Sequence, residues 1–113
     1  MSGRSVEETI QAEMVRVARN LKLFVFHPPN GGLRTAREGA SFKRIGVVAG
    51  IPDLVVLLPG GRTVFVEVKT LKGKLSNAQK EVHRELVELG HKVVTAYGGL
   101  HGVQIIKSLA EES

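Results

Sequence analysis

Cysteine is absent from the chain, which excludes disulfides and thiolate metal sites and fits a reducing compartment. Tryptophan is absent too, and one tyrosine with four phenylalanines is too little aromatic surface for a base-stacking platform. Any nucleic-acid contact would therefore run through the sugar-phosphate backbone. Long apolar runs are missing: the longest are strand-length, so no segment is expected to span a bilayer. Met1-Ser-Gly-Arg-Ser5 also lacks the apolar stretch of a secretory signal, and the expectation is a soluble intracellular protein.

What is present is 113 residues, enough for one compact domain and too few for two, so residues 1–113 are read as a single domain. With 42% hydrophobic residues a core is available, but a domain of this size buries only a moderate share of its surface and gains from a partner subunit. The net charge of +5 points to a polyanion, because Lys and Arg that neutralise phosphates release counterions. A basic, solvated surface with no nucleic-acid role is the plainer alternative.

The spacing predicts a helix over Val6 to Leu21, with Ile10, Met14, Val17 and Leu21 as its apolar stripe. Ser5 is its expected N-cap, with Glu7 and Glu8 in the first turn. Lys22 to His27 is strand-like, and Pro28-Pro-Asn-Gly-Gly32 breaks regular structure. Thr35 to Ile45 is basic and rich in small residues, and reads as a short helix or an irregular segment. Asp53 to Leu58 is a strand with both faces buried, Pro59-Gly-Gly61 a turn, and Arg62 to Lys69 a second strand. Thr70 to Leu75 is a basic loop. Ser76 to Leu89 is a helix with a Ser76/Gln79 capping box, an apolar side of Ala78, Val82, Leu86 and Leu89, and a stop at Gly90. Lys92 to Tyr97 is a strand, Gly98-Gly99 a break, and Val103 to Leu109 a last short helix or strand. The expected fold class is α/β: a mixed central sheet flanked by helices.

The chemistry concentrates in Gly50-Ile-Pro-Asp53 and Glu67-Val-Lys69. If Pro59, Gly60 and Gly61 form a three-residue hairpin loop, Leu58 faces Arg62, and counting back sets Asp53 opposite Glu67 on one sheet face. Lys69, two residues further, projects from that same face. A two-residue loop would send Asp53 and Glu67 to opposite faces, so the register is a direct test. Two adjacent carboxylates repel unless a cation or a proton sits between them. Oxygen ligands suit Mg²⁺ or Mn²⁺, which can stabilise charge on a phosphodiester and acidify a water. Lys69 would orient that water or stabilise the transition state. The ordinary alternative has Asp53 capping a turn and Glu67 with Lys69 as a solvated edge pair. On the first helix, at about 100° per residue, Glu7 lies nearest the apolar stripe and is the acid best aimed at the sheet. It is read as a metal ligand or a holder of metal-bound water, against a simple first-turn acid; the choice between Glu7 and Glu8 stays open.

Five pieces in order resemble a known family: Glu7-Glu-Thr-Ile-Gln11, His27-Pro-Pro-Asn-Gly-Gly32, Gly50-Ile-Pro-Asp53, Glu67-Val-Lys69 and Leu75-Ser-Asn-Ala-Gln79. Together they resemble a stand-alone VRR-NUC domain of the PD-(D/E)xK nuclease superfamily, of the small virus or prophage type. The resemblance covers nearly the whole chain. It implies a restriction-endonuclease-like fold and Mg²⁺- or Mn²⁺-dependent phosphodiester hydrolysis. It assigns the metal to Asp53, Glu67 and the Val68 backbone carbonyl, with Glu7 assisting, and makes Lys69 catalytic. Gln79 is implied to face the site, yet it is also the capping-box partner of Ser76, and one side chain is not expected to serve both fully. The small members resemble Holliday junction resolvases, which implies a homodimer acting on branched DNA such as a four-way junction, in the cytoplasm of a bacterial or phage-infected cell.

The basic residues fit that picture. Arg34, Arg37, Lys43 and Arg44 precede the hairpin, Lys72 and Lys74 follow Lys69, and His27 and Asn30 sit where polar groups can reach the scissile region. All eight are read as DNA contacts, although any one of the cations can equally be a solvated surface charge, and Asn30-Gly31 can be turn chemistry alone. Phe42, Ile45 and Val47 are the expected part of a dimer surface. His83, His91 and His101 have no metal-ligand spacing and receive no role. The alternatives are a nuclease for flaps, nicks or duplex, a non-catalytic DNA-binding subunit, or a basic interaction protein.

Overall fold

Ser5 caps the first helix, its hydroxyl accepting from the Glu8 amide at 3.0 Å, and α1 runs Val6–Asn20. The computed structural model describes residues 5–29 and 36–113. After α1 come β1 (Phe24–Phe26), α2 (Ala36–Arg44), β2 (Leu54–Leu58), a 3₁₀ turn (Pro59–Gly61), β3 (Arg62–Lys69), α3 (Asn77–Glu88), β4 (Lys92–Tyr97) and α4 (Gly99–Glu111). The strands form one sheet in the order β1-β2-β3-β4. The first three are antiparallel neighbours, and β4 lies parallel to β3. A parallel pair needs a crossover, and α3 supplies it. The result is the expected mixed sheet with helices on both faces.

Alternation along the strands divides the sheet into two unlike faces. Val25, Leu54, Val56, Leu58, Val64, Val66, Val68 and Ala96 form the core with Met14 and Ala18 of α1 and Ile106 and Leu109 of α4. Gly102 allows α4 to approach α1, since a Cβ there would stand 2.5 Å from the Met14 sulfur. The opposite face carries Thr63, Phe65, Glu67 and Lys69 on β3, and α3 lies over part of it.

Several expectations shift in detail. Leu21 is exposed, and Ala18 takes its place in the α1 stripe. The Lys22–His27 segment contributes only a three-residue edge strand, where Val25 is buried and Phe24 and Phe26 face outward. Leu57 is exposed beside Phe24, so β2 is not covered on both faces along its whole length. In α3 no residue is fully buried, and Leu89 is 74% exposed, because the helix covers only part of a polar sheet face. The ambiguous segment after Thr35 is the helix α2, and the C-terminal segment is the helix α4, starting at Gly99 rather than after it. No helix among the described residues is long and apolar enough to cross a membrane.

Candidate active site

The hairpin register decides where the charged residues meet. Leu58 pairs with Arg62 and Leu54 with Val66, as a three-residue connection requires. Asp53 therefore stands at the end of β2 across from Glu67. Its Oδ2 accepts from the Val68 amide at 2.7 Å, so the Asp53 side chain extends the ladder one step beyond the last strand pair. Asp53 is also close enough to Glu67 to raise the pKa of its carboxyl. Glu67 is 1% exposed and Lys69 8%, the buried charged residues of this face.

Burying a carboxyl beside another is costly unless it holds a proton or a cation. Burial, then the hydrogen bond and charge of Asp53, push the Glu67 carboxyl up to about 9, against a weaker downward pull from Lys69. Glu7 also raises it, which places the first-turn acid of α1 within electrostatic reach of the site. Glu13 instead pairs with Arg16 on the exposed side of the helix. Among the described residues, no group of three or more His, Asp or Glu side chains is arranged to hold a metal ion by itself. The donors on offer are the two carboxylates and the backbone oxygens beside them. Such oxygen donors fit Mg²⁺ or Mn²⁺, whose charge would offset the carboxylate repulsion that helps raise the Glu67 pKa.

The helix α3 closes the site. Ser76 and Gln79 form the expected capping box: Ser76 Oγ accepts from the Gln79 amide at 3.1 Å, and Gln79 Oε1 accepts from the Ser76 amide at 2.8 Å. Gln79 Nε2 then donates to Glu67 Oε2 at 3.2 Å. The expectation that one side chain would not serve both places is corrected here, because a carboxamide accepts at one end and donates at the other. His83, one turn along α3, sets its Nε2 2.9 Å from Glu67 Oε1. The contact has ion-pair geometry, while burial and then Lys69 lower the His83 pKa and burial raises that of Glu67, shifts that favour the neutral form of each. Sequence reasoning missed His83 by testing it only for metal-ligand spacing. Its place four residues after Gln79, on the same helix face, was the available signal.

Gly50 explains how α3 comes this close. Its φ is +87°, and a Cβ there would lie 2.6 Å from the Ala78 carbonyl oxygen and 3.0 Å from the Gln79 nitrogen. Gly50→Ala is expected to cost about 3 kcal/mol, from the left-handed backbone and from overpacking against another backbone. Urea unfolding measures it, and a loss below about 1 kcal/mol would show that the first turn of α3 can yield.

The remaining site expectations scatter. His27 Nδ1 contacts the Asp53 carbonyl at 2.5 Å, so His27 borders the site and one of its ring nitrogens is engaged there. Arg37, Lys43 and Arg44 are exposed on α2, and Lys72 and Lys74 are exposed on the loop after Lys69. Asn30 and Arg34 lie outside the described residues.

A mixed sheet whose central hairpin gathers two acids and a lysine, roofed by a helix that hydrogen-bonds one of those acids, is the arrangement that the resemblance to a nuclease domain implies. The family can be named more closely. The model of the VRR-NUC domain matches residues 9–99, and the chain belongs to that family. It is similar to "Putative nuclease p44" of Acyrthosiphon pisum secondary endosymbiont phage 1, with 42% identity over 45 residues. That match spans 40% of this chain and 48% of the relative, about half the relative's length. Two solved structures share the fold. A "VRR_NUC domain protein" has a TM-score of 0.76 at 24% identity, over 97% of this chain and 92% of its own. A "VRR_NUC domain" has a TM-score of 0.65 at 21% identity, over 92% and 97% respectively.

Proposed function

We propose that residues 1–113 act as one divalent-metal-dependent DNA endonuclease domain, working as a homodimer on branched DNA with a preference for four-way junctions. The observation that carries the reading is the pairing of Asp53 with Glu67 on the face that also holds Lys69. Family membership supports the nuclease reading.

In this reading Asp53, Glu67 and the Val68 carbonyl hold the ion, and Glu7 assists through its charge or through a bound water. Mg²⁺ or Mn²⁺ so held would stabilise charge on the phosphodiester and make a water acidic enough to attack. The Lys69 ammonium orients that water and offsets negative charge on the phosphorane-like transition state. Gln79 fixes the Glu67 carboxylate from α3. Lys72, Lys74, Arg37, Lys43 and Arg44, with His27, contact the DNA backbone in this reading, as do Asn30 and Arg34, which lie outside the described residues.

The homodimer reading draws on α2 and the loop after it. Phe42, Ile45 and Val48 are exposed there, beside a groove of about 510 Å³ lined by Phe42, Lys43, Val47 and Val48. Two such sites related by a two-fold axis suit paired cuts in a symmetric junction. A gel-filtration mass of one chain would remove the dimer from the proposal.

The deciding experiment incubates the protein with end-labelled four-way junction, flap, nicked and linear duplex DNA in Mg²⁺, Mn²⁺ or EDTA. Symmetric junction cuts in either metal, absent in EDTA, are the expected outcome. Preferential cutting of flaps or duplex would replace the junction preference. Binding without cutting under any metal would make the chain a DNA-binding subunit.

A further inference from the structure

We infer that His83 is a positioning residue that holds the Glu67 carboxylate for a divalent cation, in partnership with Gln79. The inference rests on the proposed metal-dependent reading of the site. Each Glu67 oxygen has its own partner on α3: Gln79 Nε2 donates to Oε2 at 3.2 Å, and His83 Nε2 lies 2.9 Å from Oε1. Residues four apart stand one above the other on a helix, so one helix face grips both oxygens. A carboxylate has about four lone-pair sites. Two of them are engaged by α3, which leaves the others for a cation.

His83 also acts as a wall. Its side chain is 12% exposed against 1% for Glu67. It also lines a shallow, open groove of about 410 Å³ between α3 and β4, with Lys80, Val93 and Thr95. Thr95 is the β4 partner of Glu67, so this groove adjoins the carboxyl. Removing the imidazole would open a path for Glu67 to turn away from Asp53, toward water and the Lys80 ammonium. An ionised carboxylate only accepts, so beside a cation His83 must present Nε2–H. A neutral donor is enough for that task. Glutamine meets it, since its amide nitrogen reaches about as far from the backbone as imidazole Nε2.

The test is calorimetric titration of Mn²⁺ into the full chain and into His83→Ala, His83→Gln and Asp53→Asn, with melting temperatures and junction-cutting kinetics alongside. His83→Ala is expected to weaken Mn²⁺ binding about 10- to 100-fold and to lower kcat with little change in the KM for DNA. His83→Gln is expected to return Mn²⁺ affinity to within about threefold of the wild type. His83→Ala binding Mn²⁺ as tightly as the wild type would overturn the inference. So would a folded His83→Gln that binds weakly, and this variant decides the matter if the alanine variant does not fold. A wild type that binds Mn²⁺ no better than Asp53→Asn would overturn the metal-dependent reading itself, and this inference with it.

Discussion

Asp53→Asn is expected to lower junction cutting by about 10³-fold or more while leaving the fold and DNA binding in EDTA close to the wild type. The two halves of this expectation come from different atoms. Asparagine keeps a carbonyl oxygen where Asp53 Oδ2 now accepts from the Val68 amide at 2.7 Å, so the last step of the hairpin ladder survives. What it removes is the negative charge that, with Glu67, defines a cation position. Metal assistance is worth several kcal/mol of transition-state stabilisation, and about 4 kcal/mol corresponds to a thousandfold in rate. Single-turnover cutting in saturating Mn²⁺ measures the first half, and circular dichroism melts with junction binding in EDTA measure the second. An asparagine variant that cuts within about tenfold of the wild type would remove Asp53 from the chemistry. A variant that has lost both cutting and its melting transition would show only that the ladder failed.

That the pairing of Asp53 with Glu67 follows from the sequence rests on the short connection at Pro59–Gly61. Once the loop length is set, every pair in the hairpin follows by counting, and the observed Leu58–Arg62 pair confirms the count. Helix ends were legible for the same reason: Ser5 and Ser76 act through atoms within three residues of themselves. What was not legible depends on contacts distant in sequence. Glycine spacing does not reveal that Gly50 lies against the first turn of α3, the contact that brings the Gln79 and His83 face of that helix over Glu67. The strand-like reading at Lys22–His27 holds for Phe24–Phe26, but composition does not tell that this strand lies at the sheet edge with Phe24 and Phe26 exposed.

Glu67→Gln should be inactive yet, in the absence of metal, more stable than the wild type above neutral pH. Burial and Asp53 raise the Glu67 carboxyl from an ordinary 4.5 to about 9 in the folded protein. Between those values the native state holds a proton that the unfolded chain has released. The unfolded state therefore binds fewer protons, and stability falls as pH climbs from about 4.5 to about 9, by the order of a few kcal/mol across the window. Glutamine copies the protonated carboxyl in shape and cannot ionise, so this contribution to the pH dependence disappears. Urea unfolding in EDTA at pH 5.5 and pH 8.5 reads the difference, and subtracting the variant from the wild type cancels the other titrating groups. Parallel losses in the two proteins would mean that Glu67 ionises freely and is not held as described. Saturating Mn²⁺ should flatten the wild-type curve, because a cation takes over the charge position of the proton, and should do little for the glutamine variant. In the proposed reading the same pair of acids that weakens the metal-free fold would hold the ion, which is why a stabilising substitution of Glu67 is expected to abolish the chemistry.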